Sequence, residues 1–241
     1  MQKFNAMIKK HIPNTITCLN LLSGCVSILF TCYNHPMWAA AMIFVAAVFD
    51  FLDGFAARLL NAKSAIGAEL DSLSDVVSFG VAPSFIVAWL MSKMHIGWWL
   101  FDVNLFPMLA FFIAVFAAVR LAKFNIDTRQ SESFIGLPVP AVGLFIASLP
   151  FLIFTIGNDT VVYSIVMNPY FMVAMIALFG WLMVSEVPFF SFQIKNLRFN
   201  DNVLRYFVVI FAIIALIILQ LAALPFVFLF YILLSVICFR G

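Results

Sequence analysis

Beginning at Asp50, the chain reads Asp-Phe-Leu-Asp-Gly-Phe-Ala-Ala-Arg and continues through Gly67 to Asp71 and Asp75. These acids interrupt otherwise apolar stretches. A carboxylate at the centre of a bilayer costs about 2.5–3.5 kcal/mol on insertion scales. Four of them against lipid would cost on the order of 10 kcal/mol, so they must face a wet cavity or a partner. At about 100° per residue, Asp50, Asp53, Gly54 and Ala57 lie along one helix face. Gly67, Asp71 and Asp75 form a stripe on the next helix. The small residues predict a close approach of two antiparallel helices that present four carboxylates to one point. Like charges so placed repel and take up protons unless a cation sits among them. Arg58 is one cation and cannot neutralise four acids. Hard divalent ions with oxygen ligands, Mg2+ or Mn2+, fit the deficit. Two such ions clamping phosphoryl oxygens are a recurrent solution for displacement at phosphorus. The alternative reading of the same acids is a proton relay or ion path in a transporter, which should also show broken helices in matching positions of two halves. No such symmetry is found in the sequence.

The elements that position these groups follow from composition. Of 241 residues, 65% are apolar and 10% charged, with a mean hydropathy of +1.12. Soluble domains run near 25% charged, which argues against a cytosolic enzyme, a disordered tail and a nucleic-acid binder. With about 20 apolar residues per crossing, the predicted spans are 15–33, 37–60, 65–92, 98–122, 138–157, 163–187, 203–220 and 224–239. The expected fold is an all-α polytopic membrane protein of about eight transmembrane helices. It divides into a basic leader at 1–13, a six-helix domain at 14–195 and a C-terminal hairpin at 196–241.

The leader mixes Lys3, Lys9 and Lys10 with Phe4, Met7 and Ile8, as either a short interfacial helix or a frayed tail. No small-residue cleavage site follows the first apolar run, which reads as an uncleaved span. Basic residues set the orientation. With eight spans, one side holds Lys3, Lys9, Lys10, Arg58, Lys63, Arg120, Lys123, Arg129, Lys195, Arg198, Arg205 and Arg240, and the other only Lys93. Both termini are therefore expected in the cytoplasm. Cys18, Cys25 and Cys32 recur on one helical stripe, with Cys238 far away, and read as packing residues rather than a metal or redox site.

The segment from Asp50 to Asp75 resembles the signature of the CDP-alcohol phosphotransferase family, D-x-x-D-G-x-x-A-R-x8-G-x3-D-x3-D. All eight fixed positions match: Asp50, Asp53, Gly54, Ala57, Arg58, Gly67, Asp71 and Asp75. The resemblance implies an integral protein of a prokaryotic inner membrane, with its active site near the cytoplasmic face and a homodimeric assembly. It implies that an alcohol attacks the lipid-linked phosphoryl group of CDP-diacylglycerol and that CMP leaves. It places one divalent cation on Asp50, Asp53 and Asp71, and a second on Asp50, Asp71 and Asp75. Asp75 is the expected general base, with its proton removal aided by the metal acidifying the hydroxyl. Gly54 would let the nucleotide approach, and Arg58 and Ser64 would contact its phosphates. Asn14, Thr17, Ala57 and Gly67 complete the expected CDP-diacylglycerol contacts.

Three further stretches resemble the bacterial and archaeal-type phosphatidylserine synthases within that family. They are Asn14-Thr-Ile-Thr17-x-x-Asn20-x-x-x-Gly24, Arg120-Leu-Ala-Lys123-Phe-Asn125, and Gly136-Leu-Pro138-Val-Pro140-Ala141 with the later Leu182-Met-Val-Ser185 leading to Pro188. The acceptor implied is L-serine. Arg120 could take its carboxylate by a two-pronged contact, with Lys123 and Asn125 beside it. Alternatively, Arg120 and Lys123 are anchors that snorkel to headgroups. A phosphatidylglycerophosphate synthase is the rival within the family, and its phosphorylated acceptor would favour a denser basic cluster. Pro138 and Pro140 are expected to shape the start of the fifth span.

Overall fold

A computed structural model describes residues 2–62, 64–94, 96–127, 134–157, 159–189 and 203–238. Lys63, Arg129, Lys195, Arg198 and Arg240, and the expected boundary at 195/196, lie outside the described residues. Helix α1 runs unbroken over Gln2–Cys32, so the leader and the first span are one helix with Pro13 inside it. After a turn at Asn34, whose φ is 61°, Pro36 occupies the first turn of α2 (Pro36–Leu59). That proline position costs no ladder bond, since the first amides of a helix have no partner anyway.

Helix α3 (Ala65–Asp75) starts at Ser64, whose hydroxyl accepts the Gly67 N–H at 3.0 Å. It passes into a π-helical turn at Val76–Val81 and then α4 (Ala82–Ser92). The whole of Ala65–Ser92 is long and apolar enough to cross a membrane. The wide turn is bound tightly. A Cβ on Gly24 of α1 would lie 2.8 Å from the Ser78 Cα, and one on Gly143 would lie 2.9 Å from the Phe79 Cα. Side-chain hydroxyls fasten the same region to α1: Ser74 Oγ donates to Thr17 O at 3.2 Å and Ser78 Oγ to Asn20 O at 2.9 Å. These bonds remove the cost of burying the hydroxyls.

The fourth span starts later than expected. Residues 98–104 form a hairpin of β1 (Trp99–Leu100) and β2 (Val103–Asn104), turned by Phe101 and Asp102 at positive φ. The helical run is Phe106–Ile126, a 3-10 turn (Phe106–Phe111) followed by α5 (Phe112–Ile126). Asn104 explains the displacement: its Oδ1 accepts the N–H groups of Trp98 and Phe106, closing a turn where a helix ladder would otherwise run.

Helix α6 (Val139–Ile156) begins with Pro138 as its N-cap residue and a proline in its first turn, as expected. The sixth predicted span is split into α7 (Val161–Val166) and α8 (Pro169–Val184). Asn168 ends the first piece and caps the second, accepting from Tyr170 and Phe171 N–H, and Pro169 cannot continue the earlier helix. Strand β3 (Phe134–Ile135) pairs with β4 (Pro188–Phe189). In addition, Leu137 N–H donates to Leu182 O at 3.0 Å and Gly136 N–H to Val187 O at 2.9 Å. The chain ends with α9 (Val203–Leu219), a 3-10 turn at Gln220–Ala223 and α10 (Leu224–Cys238), with Gln220 at φ 51° making the bend.

Among the described residues, six stretches are long and apolar enough to cross a membrane by length and composition: His11–Cys32, Pro36–Leu59, Ala65–Ser92, Phe106–Ile126, Val139–Ile156 and Tyr206–Ser235. Pro169–Val184 is apolar but shorter. The protein is therefore all-α and polytopic. Phe79, Ile86, Ile113, Ile146 and Met172 are fully buried in its core.

Candidate active site

Helices α2 and α3 both pack along α1 and make little direct contact with each other. The close α2–α3 approach predicted from the small residues does not occur. Those residues instead shape a cleft. A Cβ on Gly54 would meet nothing within 4 Å. One on Gly67 would lie 3.0 Å from both Asn14 Oδ1 and Ser64 Oγ, so its smallness makes room for α1. The cleft, of about 190 Å3, is lined by Pro13, Asn14 and Thr17 of α1, by Asp53, Gly54 and Ala57 of α2, by Ala62 and Ser64 of the connection, and by Gly67, Ala68 and Asp71 of α3.

Two carboxylates of this lining, Asp53 and Asp71, gather with Asp50. Asp50, Asp53 and Asp71 each offer an oxygen, and these oxygens all lie within 4.8 Å of one another. The strongest electrostatic neighbours of Asp50 are Asp71 and Asp53, and that of Asp71 is Asp53. Asp53 is buried with its Oδ2 lacking a hydrogen-bond partner. A buried carboxylate oxygen left unpaired is costly, and three hard oxygen donors at this spacing suit a divalent cation. The cluster could therefore hold a metal ion. Asp75, one helical turn beyond Asp71, is buried outside that three-residue set. Its Oδ1 accepts from Asn20 Nδ2 at 3.4 Å, and its charge neighbours are Asp50, Asp71 and Asp53.

Of the residues expected to meet the nucleotide, Asn14, Thr17, Gly54, Ala57, Ser64 and Gly67 line the cleft. Arg58 stands apart from it: exposed, its Nε donates to Gly54 O at 3.1 Å. The three residues expected around the acceptor also separate. Lys123 Nζ donates to Val184 O at 3.5 Å, at the end of α8. Asn125 exchanges hydrogen bonds with Ser72 of α3 at 3.2 and 3.0 Å. Arg120 is 6% exposed, lies 5.0 Å from the Phe124 ring centroid and has Asp75 as its leading electrostatic partner. It does not snorkel to the surface. Two features were not assigned from sequence. One is Asn20 as the partner of Asp75, although it stood within a quoted motif. The other is Tyr231 of α10, an electrostatic neighbour of Arg120, for which one tyrosine in an apolar run gives no signal.

The family model for CDP-alcohol phosphatidyltransferase matches residues 10–192. A CDP-diacylglycerol–serine O-phosphatidyltransferase of Helicobacter pylori is 32% identical over 211 residues, covering 85% of this chain and 80% of that one. Proteins of the same name in Bacillus subtilis and Methanocaldococcus jannaschii are 33% identical over 185 residues and 34% identical over 178 residues. They cover 76% and 74% of this chain, and 92% and 73% of their own lengths. With Asp53, Gly54, Ala57, Gly67 and Asp71 of the signature lining one cleft and the family match running across it, this chain belongs to the CDP-alcohol phosphatidyltransferase family.

Proposed function

We propose that the protein transfers the phosphatidyl group of CDP-diacylglycerol to the hydroxyl of L-serine, giving phosphatidylserine and CMP. The observation that carries the choice of acceptor is the buried Arg120 guanidinium beside Asp75, in a chain similar to three serine O-phosphatidyltransferases. Asp50, Asp53 and Asp71 would hold one divalent cation, and Asp50, Asp71 and Asp75 a second, Mg2+ or Mn2+. Bound there, such ions supply charge neutralisation for the diphosphate and the departing CMP.

The chain's own groups account for the rest. The cleft accepts the nucleotide between α1, α2 and α3, and the bare face of Gly54 lets it come close to α2. Ser64, in the lining of the cleft, would contact the phosphates, and Arg58 would reach them only by leaving its bond to the Gly54 carbonyl. The serine oxygen forms a bond to the lipid-bearing phosphorus as the bond from that phosphorus to the CMP oxygen breaks. The hydroxyl proton passes to Asp75, whose carboxylate is held by the Asn20 amide. Arg120 receives the serine carboxylate, a pairing in which a planar guanidinium gives two parallel bonds. Lys123 and Asn125 are instead bonded to the end of α8 and to α3.

The reading extends to placement. Both termini and the cleft lie on the cytoplasmic side, by the twelve-to-one distribution of basic residues, and the protein works as a homodimer in a prokaryotic inner membrane. Membranes carrying the protein, given CDP-diacylglycerol, Mn2+ or Mg2+ and one labelled alcohol at a time, are expected to label phosphatidylserine and release CMP, and to stop when the metal is chelated. Incorporation of glycerol 3-phosphate but not serine overturns the acceptor. Undiminished transfer by Asp71→Asn overturns the site.

A further inference from the structure

The C-terminal hairpin lies beyond the family match, which ends at residue 192, yet α10 packs against α6 and β4. It carries two polar groups into the interior. Tyr231 is 3% exposed, and Ser235, one helical turn further, is fully buried. Asp75 and Tyr231 both stand within electrostatic reach of the Arg120 guanidinium. One buried polar atom on this line, Arg120 Nε, lacks a hydrogen-bond partner, and beside the acid Asn20 Oδ1 is a second. Ser235 lies at the Tyr231 phenol. Native interiors rarely leave such atoms unpaired, and each calls for an explanation such as a water or ligand. The two atoms belong to the two side chains that flank Asp75, the Asn20 amide bonded to it and the Arg120 guanidinium beside it.

We propose that α10 is a wall of the acceptor site, and that Tyr231, supported by Ser235, sets the Arg120 guanidinium to receive the carboxylate of an amino-acid acceptor whose hydroxyl faces Asp75. The inference rests on serine being the acceptor. Tyr231 acts through Arg120 and is a positioning residue. Its phenol oxygen offers the guanidinium an acceptor, leaving the unpaired Nε edge for the carboxylate. The hairpin then selects among alcohols: serinol, which lacks the carboxylate, has nothing to give Arg120.

The test uses the full chain in lipid nanodiscs with CDP-diacylglycerol and Mn2+. Tyr231→Phe is expected to raise the KM for serine about ten-fold, the order of one hydrogen bond to a charged group, and to narrow the preference for serine over serinol. The KM for CDP-diacylglycerol should stay unchanged, which a general loosening of the fold would not allow. Ser235→Ala should move the serine KM in the same direction by a smaller factor, and it decides the matter if Tyr231→Phe lowers the yield of folded protein. Wild-type protein that incorporates no serine overturns the reading beneath this inference. Wild-type protein that does so, with serine KM and preference unmoved in the variants, overturns the role of the hairpin alone.

Discussion

A Cβ added to Gly54 would meet no protein atom within 4 Å because the position faces the cleft rather than a neighbouring helix. Gly54→Ala should therefore fold well, and the substitution within a helix is expected to add about 0.5–1 kcal/mol of stability. The same methyl would stand where a nucleotide approaches α2. The expected result is a raised Tm together with a KM for CDP-diacylglycerol increased on the order of ten-fold, the equivalent of about 1.4 kcal/mol. A variant that was more stable and bound the nucleotide normally would remove Gly54 from the site. At this scale the aspartates were legible in the sequence, because an acid in an apolar run needs a reason to be there. Arg120 carried two readings, since a basic residue near a helix end serves equally well as an anchor. Its burial beside Asp75 argues against the snorkelling anchor, and the neighbouring Lys123 keeps an exposed bond to the end of α8.

Among the elements, α1 is the common support. It carries the Thr17 and Asn20 carbonyls that receive Ser74 and Ser78, and it approaches the π-helical turn through Gly24. Gly24→Ala would place a Cβ 2.8 Å from the Ser78 Cα, a backbone atom that cannot swing aside. Overpacking of this kind costs about 1–3 kcal/mol. The variant should show a lowered Tm and a loss of activity that cooling partly restores, and an unchanged Tm would mean that the crossing tolerates a methyl group. Apolar periodicity predicted the long helices well, but not the wide turn, which differs from an α-helix by hydrogen bonding that side-chain pattern does not record. Nor did hydropathy separate the hairpin at 98–104 from α5, since Trp98, Trp99, Leu100 and Phe101 are as apolar as a span. The segments around Gly136 and around Leu182, distant in sequence, form one backbone-bonded junction. Pairings across so long a separation leave no trace in a local pattern.

For the whole molecule, exposed apolar side chains such as Leu22, Phe51, Val115, Phe154 and Ile217 occur on α1, α2, α5, α6 and α9, the surface expected of a protein solvated by lipid. The distribution of basic residues predicts an orientation for that body, with a single lysine, Lys93, expected on the far side. A reporter joined to the C-terminus should accordingly be active only in the cytoplasm, and activity outside would reverse the placement of both the cleft and the hairpin. Charge counting applies because most loops are short, the condition under which basic residues govern insertion.

The π-helical turn at Val76–Val81 divides Ala65–Ser92 into two halves that are indexed separately. Such a turn amounts to one residue more than an α-helix needs. The half bearing Asp71 and Asp75 can thus keep the phase that its chemistry demands, while α4 keeps the phase that suits its buried neighbours. Deleting any one residue of the turn would merge the two counts and rotate one half against the other by about 100°. A single codon lost from that stretch would leave composition and hydropathy almost untouched, and yet would turn the aspartates away from the cleft.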